Sequence, residues 1–476
     1  MKPYLLVFGL AYVGLILAAS LVFRRRLRSF VDFFLAGRDL PASLVYATLC
    51  AAWIGATSML VSTDEAYAGG LGAFWIIGLP AVLTVVIMAA FLAGRVRALL
   101  TLSLPDLIEA RYGRLVRRLA SALIIWYMIL LAASQMVALG GFLKLFIGRS
   151  YLVSLAVGTG LVLFYSTLGG FFTVVVTDFL HFILLGAGII GLFITLAGRT
   201  SLDAIRMTAS GLGRSGYFNF FSDPKRNGLI VLSFVLAWLI SPIAWQRIQA
   251  ARSVRHARRA LWAAAGTFVL VYALIVGIGM MALPLFGGRR LGNPLMAEFV
   301  FSQPGTLIAG LLFVAVLAAI LSTMDTAINT GALSLAQDVF GSGRLQSKGA
   351  AGGKAEILKG RLATLVIGAL AFLAATRFTS ILKTIGLASE VMAEGLFIPG
   401  LAMLFMKKRA PLAGLLSLGL GGGFAFACFL NGSGLLALGL PPWPFSVPYG
   451  LALSLTGFLL GLFLSSHRSS SHCEGS

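Results

Sequence analysis

Apolar runs of roughly bilayer-crossing length, parted by short polar joints, recur along the whole chain. A helix rises about 1.5 Å per residue, so some 20 apolar residues span a hydrocarbon core of about 30 Å. Thirteen spans are expected on that measure, at about 4–23, 43–63, 71–94, 119–145, 151–168, 173–196, 228–246, 261–286, 306–339, 362–376, 380–406, 411–430 and 447–466. The predicted fold class is an all-α polytopic membrane protein.

The ninth span does not stay apolar. Within FVAVLAAILSTMDTAINTGALSLAQDV (313–339), Ser322, Asp325, Thr326 and Asn329 fall at i, i+3, i+4 and i+7, which lays them along one helix face. Ala319, Ser322 and Thr323 form a second strip one step round the cylinder. An aspartate in hydrocarbon costs about 2.5–3.5 kcal/mol, so this face should meet protein, water or an ion. Hydroxyls bonding back to carbonyls one turn earlier would explain a lone serine or threonine. With Asp325 in the same stripe, a cation site is the better reading.

Other spans are interrupted. Gly55 lies among small and polar residues near the middle of the second span, with Asp64 and Glu65 towards its end. Ser241-Pro242 sits inside the seventh, where proline removes a backbone bond and clashes with the preceding turn. Two unwound helices are therefore expected, their freed carbonyls lining a cavity. The eleventh span, with Glu390, Glu394 and Pro399, is expected to bend. Ser134-Gln135 makes a polar notch in the fourth span, and Gly169-Gly170 a tight turn between the fifth and sixth. Asp178 then lies inside the sixth, a functional candidate by its position, while His181 on the same face reads first as a packing residue. Thr101–Leu119 reads as one amphipathic helix begun by Pro105.

Each unwound helix opens a set of five spans, 43–196 and 228–406. Five crossings invert orientation, so the sets are expected to be five-plus-five inverted-topology repeats. Residues 1–42 form an N-terminal flanking helix and linker, 197–227 an outer cap, 407–466 two further flanking helices, and 467–476 a disordered tail.

Composition changes the reading of charge. The chain has 476 residues, 59% hydrophobic and 11% charged, with a net charge of +21. In a soluble protein that excess would point to nucleic acid; here no nucleic-acid partner is expected, because the charge is sided. With the N-terminus outside, the runs 24–28, 95–118, 247–259, 344–361 and 407–409 share one side, which holds about two thirds of the Lys and Arg. The positive-inside rule makes that side, and the C-terminus, cytoplasmic. The only charge before the first apolar run is Lys2, and Arg24-Arg25-Arg26 follows it, so the run reads as a retained helix. Cys50, Cys428 and Cys473 are scattered, without metal or disulfide spacing.

Six segments, in this order, carry a resemblance: FFLAGRDLP (33–41), ATSMLVSTDEAYAGGLGAFW (56–75), LPDLIEARYG (104–113), TLGGFFTVVVTDFLHF (167–182), WQRIQAARS (245–253) and LAAILSTMDTAINTGALSLAQDV (317–339). The chain resembles the solute:sodium symporters, which include proline, pantothenate, sugar and sialic-acid transporters. The resemblance implies the leucine-transporter-like fold and Na+ as coupling ion. It implies a sodium site made by the carbonyls of Ala51, Ile54 and Ala319 with the hydroxyls of Ser322 and Thr323. That set agrees with the strip read from the ninth span. Its neutral oxygens suit a monovalent cation better than calcium. The sialic-acid type further implies a second cation at Asp178, Ser322, Asp325 and Thr326, although those members carry serine where Asp325 stands. Two carboxylates there would need a cation, a shared proton or a basic partner; Arg344 or Arg361 would serve as the last. Ser58 and Val391, and the absence of lysine from the eighth span, disfavour a sugar.

The expected function is a sodium-coupled secondary active symporter that imports a small organic solute by alternating access, probed at Gly55, Ser58, Met59, Gln135, Trp238, Ser241, Trp245 and Val391. This aromatic, small and weakly polar set favours an amino acid or monocarboxylate, whose carboxylate a broken-helix N-terminus can hold. A proton-coupled symporter is the alternative, since Asp178, Asp325 and His181 could carry protons. A solute sensor is a minor one, without a signalling domain in the sequence. No nucleophile–base or metal-spaced motif supports an enzyme. The expected partners are the lipid bilayer and the solute, with the monomer as functional unit.

Overall fold

The computed structural model describes residues 3–23, 30–99, 103–303, 306–339, 341, 354–406 and 408–470. Among the described residues every regular element is a helix, and a lone bridge joins Leu40 to Ala251. Helix α1 (Pro3–Phe23) and the short α2 (Phe30–Leu35) lead to α3 (Ala42–Trp53), which stops at Ile54. The chain passes through Gly55 and Ala56, makes a π-helical turn over Thr57–Val61 and resumes as α4 (Ser62–Gly69). The second expected span is thus interrupted where Gly55 lies. Helices α5 (Gly78–Ile87) and α6 (Ala93–Ala98) flank another π turn at Met88–Leu92.

Helix α7 (Leu104–Tyr112) ends at Gly113, and α8 (Arg114–Ile147) starts immediately after it. The single amphipathic helix expected over 101–119 is therefore two. The φ of 87° at Gly113, which a side chain would resist, turns the chain and sends the basic half into α8. Helix α9 (Tyr151–Ala197) has 47 residues. At about 1.5 Å per residue that is more than twice the thickness of a hydrocarbon core. Gly170, at φ 56° and ψ −162°, divides it, so the expected turn is a kink in one long helical run. A Cβ there would lie 2.8 Å from the Phe33 carbonyl oxygen, which also explains why the position is glycine.

Next come α10 (Leu202–Gly211), α11 (Pro224–Leu239) and α12 (Pro242–Ala250), the last two meeting at a 42° bend. Helix α13 (Val254–Phe286) precedes α14 (Leu295–Ser302) and α15 (Thr306–Ser334), which runs out in a third π turn at Leu335–Val339. The remaining helices are α16 (Lys354–Ala375), α17 (Ile381–Gly395), α18 (Phe397–Ala402), α19 (Pro411–Ser433) and α20 (Val447–Ser470). The expected bend of the eleventh span is the α17–α18 joint. Helix α20 continues to Ser470, so 467–470 is helical rather than tail; residues 471–476, 24–29 and 342–353 lie outside the described residues.

Among the described residues nine helical stretches are each long and apolar enough to cross a membrane, ten with the bent α11–α12 pair. Helix α15 is the axis of the packing. It lies against α9, α8, α16, α1 and α3, and nearly every residue from Leu312 to Leu333 is buried. The polar stripe therefore faces protein, not lipid, as the cost of exposing it demands.

Candidate functional site

Two broken helices and α15 meet at one place. The unwinding after Trp53 frees the last carbonyls of α3, and the hydroxyls of α15 point at them. Ser322 Oγ donates to the Ala51 carbonyl at 2.8 Å and to the Ala319 carbonyl at 3.1 Å. Thr323 Oγ1 lies 3.1 Å from the Ala52 carbonyl and 3.3 Å from that of Ala319. The structure thus brings Ala51, Ala319, Ser322 and Thr323 together. The Ala52 carbonyl joins them beside Thr323, and Ile54 stands at the break itself as the C-cap of α3, its N–H donating to Cys50.

All these groups are neutral and buried, with five oxygens converging from two helices. Such a donor set fits a monovalent hard cation and lacks the several carboxylates usual for calcium. Gly55 keeps the approach close. A Cβ there would sit 2.4 Å from Thr323 Oγ1 and 2.9 Å from Gln135 Oε1. That glutamine, the polar notch of the fourth span, accepts from the Ala56 N–H at 2.9 Å, meeting a backbone donor freed by the break.

A cavity opens beside this junction. Gly55, Ser58, Gln135, Trp238 and Ser241 line it, as expected, together with Trp53, Tyr127, Thr323 and Ile385. Trp53 and Trp238 meet edge to face, with centroids 5.7 Å apart. Met59 and Val391 are buried outside the lining. Trp245 lines a smaller cavity below α12, and its indole N–H holds the helix break by donating to the Leu239 carbonyl at 2.9 Å. Trp53 and Tyr127 read in sequence as packing aromatics: only the break after α3 places Trp53 at the cavity, and only the packing of α8 against the junction places Tyr127 there.

One turn further along α15 the stripe meets charge. Asp178 Oδ2 accepts from Thr48 and, at 3.2 Å, from Arg247 Nη2. The same guanidinium donates to Thr326 Oγ1 at 2.7 Å and through Nε to the Thr48 carbonyl at 3.2 Å, and lies over Phe171. Asp325 Oδ2 accepts from Tyr165 at 2.9 Å. Asp178 and Thr326 of the expected second cation set are therefore joined through Arg247, while Asp325 turns to Tyr165 and Ser322 to Ala51. Asp178 finds its basic partner in Arg247, from the WQR segment on α12; Arg344 lies outside the described residues, and among the described residues no ion pair joins Arg361 to either aspartate. Asp178 Oδ1, Asp325 Oδ1, both ring nitrogens of His181 and the Tyr12 hydroxyl have no hydrogen-bond partner among the described residues.

Past Asn329 the stripe continues as Thr330, which bonds Gln246 at 2.9 Å, and ends at an ion-pair network. Arg117 Nη2 contacts Asp338 at 2.8 Å and Asp106 at 3.0 Å, and Nη1 reaches Glu109. This ties α7 and α8 to the end of α15 on the side of the basic loops.

The family model for the sodium:solute symporter family matches residues 33–422. This chain belongs to that family. Relatives include the high-affinity proline transporter PutP of Bacillus subtilis (strain 168), 27% identical over 74% of this chain and 76% of that protein. The sodium/proline symporter of Haemophilus influenzae is 26% identical over 81% and 80%. Among solved structures, a Na+-coupled sialic acid symporter in a substrate-bound, outward-open state superposes with a TM-score of 0.80 over 97% of both chains, at 18% identity. A nucleobase-cation-symport-1 family transporter in a closed conformation gives a TM-score of 0.54 over 92% of this chain and 95% of that one, at 16% identity. These likenesses establish the polytopic transporter fold. The protein is a multi-pass membrane symporter with Na+ as coupling ion, and not an enzyme.

Proposed function

We propose that this symporter imports a small amino acid, with proline the first compound to try, and that the junction of α3 and α15 holds the sodium. The observation that supports the substrate class is the cavity at the two helix breaks. Its side chains are aromatic, small or neutral, with neither a cation nor a carboxylate among them. A zwitterion is suited to such a place. The freed N–H groups of a broken helix hold its carboxylate, and the aromatic faces of Trp53 and Trp238 favour its ammonium. One relative is named a proline transporter and another a sodium/proline symporter, which agrees with this class. The thermal unfolding of purified protein should rise with proline in sodium, and not with proline in choline or with a neutral sugar in sodium. A rise with the sugar alone would overturn the substrate class.

Sodium bound by Ala51, Ala319, Ser322 and Thr323 would pin α15 to the unwound α3, one wall of the cavity. The ion then favours the state that binds solute, which is the differential affinity that coupling needs. We infer that the sets 43–196 and 228–406 are the repeats that rock about this junction. The N-terminus lies outside and the C-terminus in the cytoplasm.

Arg247 lies where the second cation set would gather, so one sodium per solute is the expected ratio. Measured in proteoliposomes at clamped voltages, the sodium-to-proline flux ratio should be one, and unchanged in Asp325→Ser. A ratio of two that falls to one in the variant would instead assign a second sodium to Asp178, Ser322, Asp325 and Thr326.

A further inference from the structure

Away from the sodium junction, two carboxyl groups are buried in the apolar packing of α17. Glu390 and Glu394 are one turn apart and on one face, and neither has any exposed surface. Among the described residues neither forms an ion pair. Glu390 Oε1 accepts from Ser446, while Glu390 Oε2 and both carboxyl oxygens of Glu394 have no hydrogen-bond partner among the described residues. The place is shaped for the Glu394 head group. A Cβ on Gly450 of α20 would fall 1.6 Å from Oε2, so the carboxyl occupies the space a side chain there would need. A Cβ on Gly421 of α19 would fall 2.2 Å from the Glu394 backbone carbonyl, so that helix also lies in direct contact.

Among the described residues no helix packed on α17 places a counter-charge against the two carboxyls. Helix α19 contributes Cys428, buried and uncharged as a thiol. On α8, Tyr127 lines the solute cavity, Arg117 is committed to its three carboxylates, and Arg114, Arg118 and Lys144 are exposed. On α11 the ionisable side chains stand in the first turn, Lys225 exposed and Arg226 half-buried near Glu65; α18 carries none, and Tyr449 of α20 is 58% exposed. Lys383, on α17 itself, is exposed nearly two turns before Glu390. A bare carboxylate in such surroundings is strongly disfavoured, and two adjacent ones more so. With a single hydroxyl in contact and no group of three or more metal-binding side chains among the described residues, a metal ion lacks ligands. A proton needs none.

We propose that Glu390 and Glu394 form a proton-binding site at the interface of α17 with α19 and α20. Both carboxyls are neutral while the three helices are closed, and they ionise only when α17 parts from α20. Each proton then passes to water, by way of Ser446 at the start of α20, on the side of the loop 434–446. Because Ile385, on the opposite face of α17, lines the solute cavity, ionisation there shifts a wall of the cavity. The transport cycle thereby responds to pH on that one side, with no proton required to cross.

Infrared spectroscopy of the full-length protein in lipid reads the site directly. At neutral pH the native protein should show the C=O stretch of buried protonated carboxyls, resistant to exchange, and Glu394→Gln should lose part of that band. Glu390→Gln should lose another part, which keeps the test open if one variant fails to fold. Asp325→Asn, changed alone, identifies any share from the α15 aspartate. The native melting temperature should also fall by several degrees from about pH 5 to about pH 9, because the unfolded chain gives up protons that the native state keeps. Glu394→Gln should flatten that slope and keep the stabilisation by sodium. No band lost in either glutamine variant, or an unchanged slope, would overturn the proposal. Loss of sodium stabilisation in the native protein would count against the sodium junction instead.

Discussion

Replacing Arg247 by methionine should abolish most of the folded protein, and adding Asp178→Asn to the same chain should restore much of it. The guanidinium is fully buried and holds Asp178, Thr326 and the Thr48 carbonyl together, so it links α12, α9, α15 and α3. Methionine keeps an apolar chain along the arginine's stem but removes the guanidinium, which leaves the Asp178 carboxylate without its counter-charge. Breaking a buried pair from one side costs about 3–5 kcal/mol, mostly the penalty of the charge left behind, whereas removing both charges is often close to neutral. For a protein whose net stability is commonly about 5–15 kcal/mol, that separates a well-folded sample from an aggregating one. Size-exclusion profiles and thermal unfolding of the single and double variants in detergent give the answer. A single variant as stable as the native protein would mean that Arg247 is not the charge partner of Asp178.

The second large effect is expected at the sodium junction. Ser322→Ala with Thr323→Ala should raise the sodium concentration for half-maximal proline uptake at least roughly tenfold, with expression near normal. Each hydroxyl removed is worth on the order of 1 kcal/mol or more, and two together exceed the 1.4 kcal/mol that corresponds to a factor of ten. The carbonyls of Ala51, Ala52 and Ala319 remain, so binding weakens rather than vanishes. An unchanged sodium dependence would reduce both residues to hydroxyls that merely bond back to the backbone of their own helix.

The stripe on α15 was legible because its spacing puts Ser322 and Asp325 on one face whatever surrounds them. The breaks at Gly55 and Ser241-Pro242 were legible for a similar reason: glycine and proline act on the backbone locally, before any tertiary contact forms. Arg247 was not. It opens one of the basic runs that mark the cytoplasmic side, and its neighbours gave no sign that it turns inward to Asp178, which lies 69 positions earlier. That the Ala52 carbonyl stands beside Thr323 depends on the pitch at which α3 unwinds, a property of the packed junction. Gly113 and the π turns lie beyond a periodicity argument too, since each shifts register by a residue or two while the apolar pattern continues. Pairings across distant segments decide what the buried charges do, and a single sequence does not display them.

Gradient-driven uptake in sealed proteoliposomes tests the central claim most directly. With inward sodium, proline should accumulate above its external concentration in the native protein, and the Ser322→Ala, Thr323→Ala variant should need far more sodium to do the same. With an inward proton gradient and sodium replaced by choline, accumulation should be absent. Equal accumulation on protons without sodium would contradict the sodium junction as the seat of coupling.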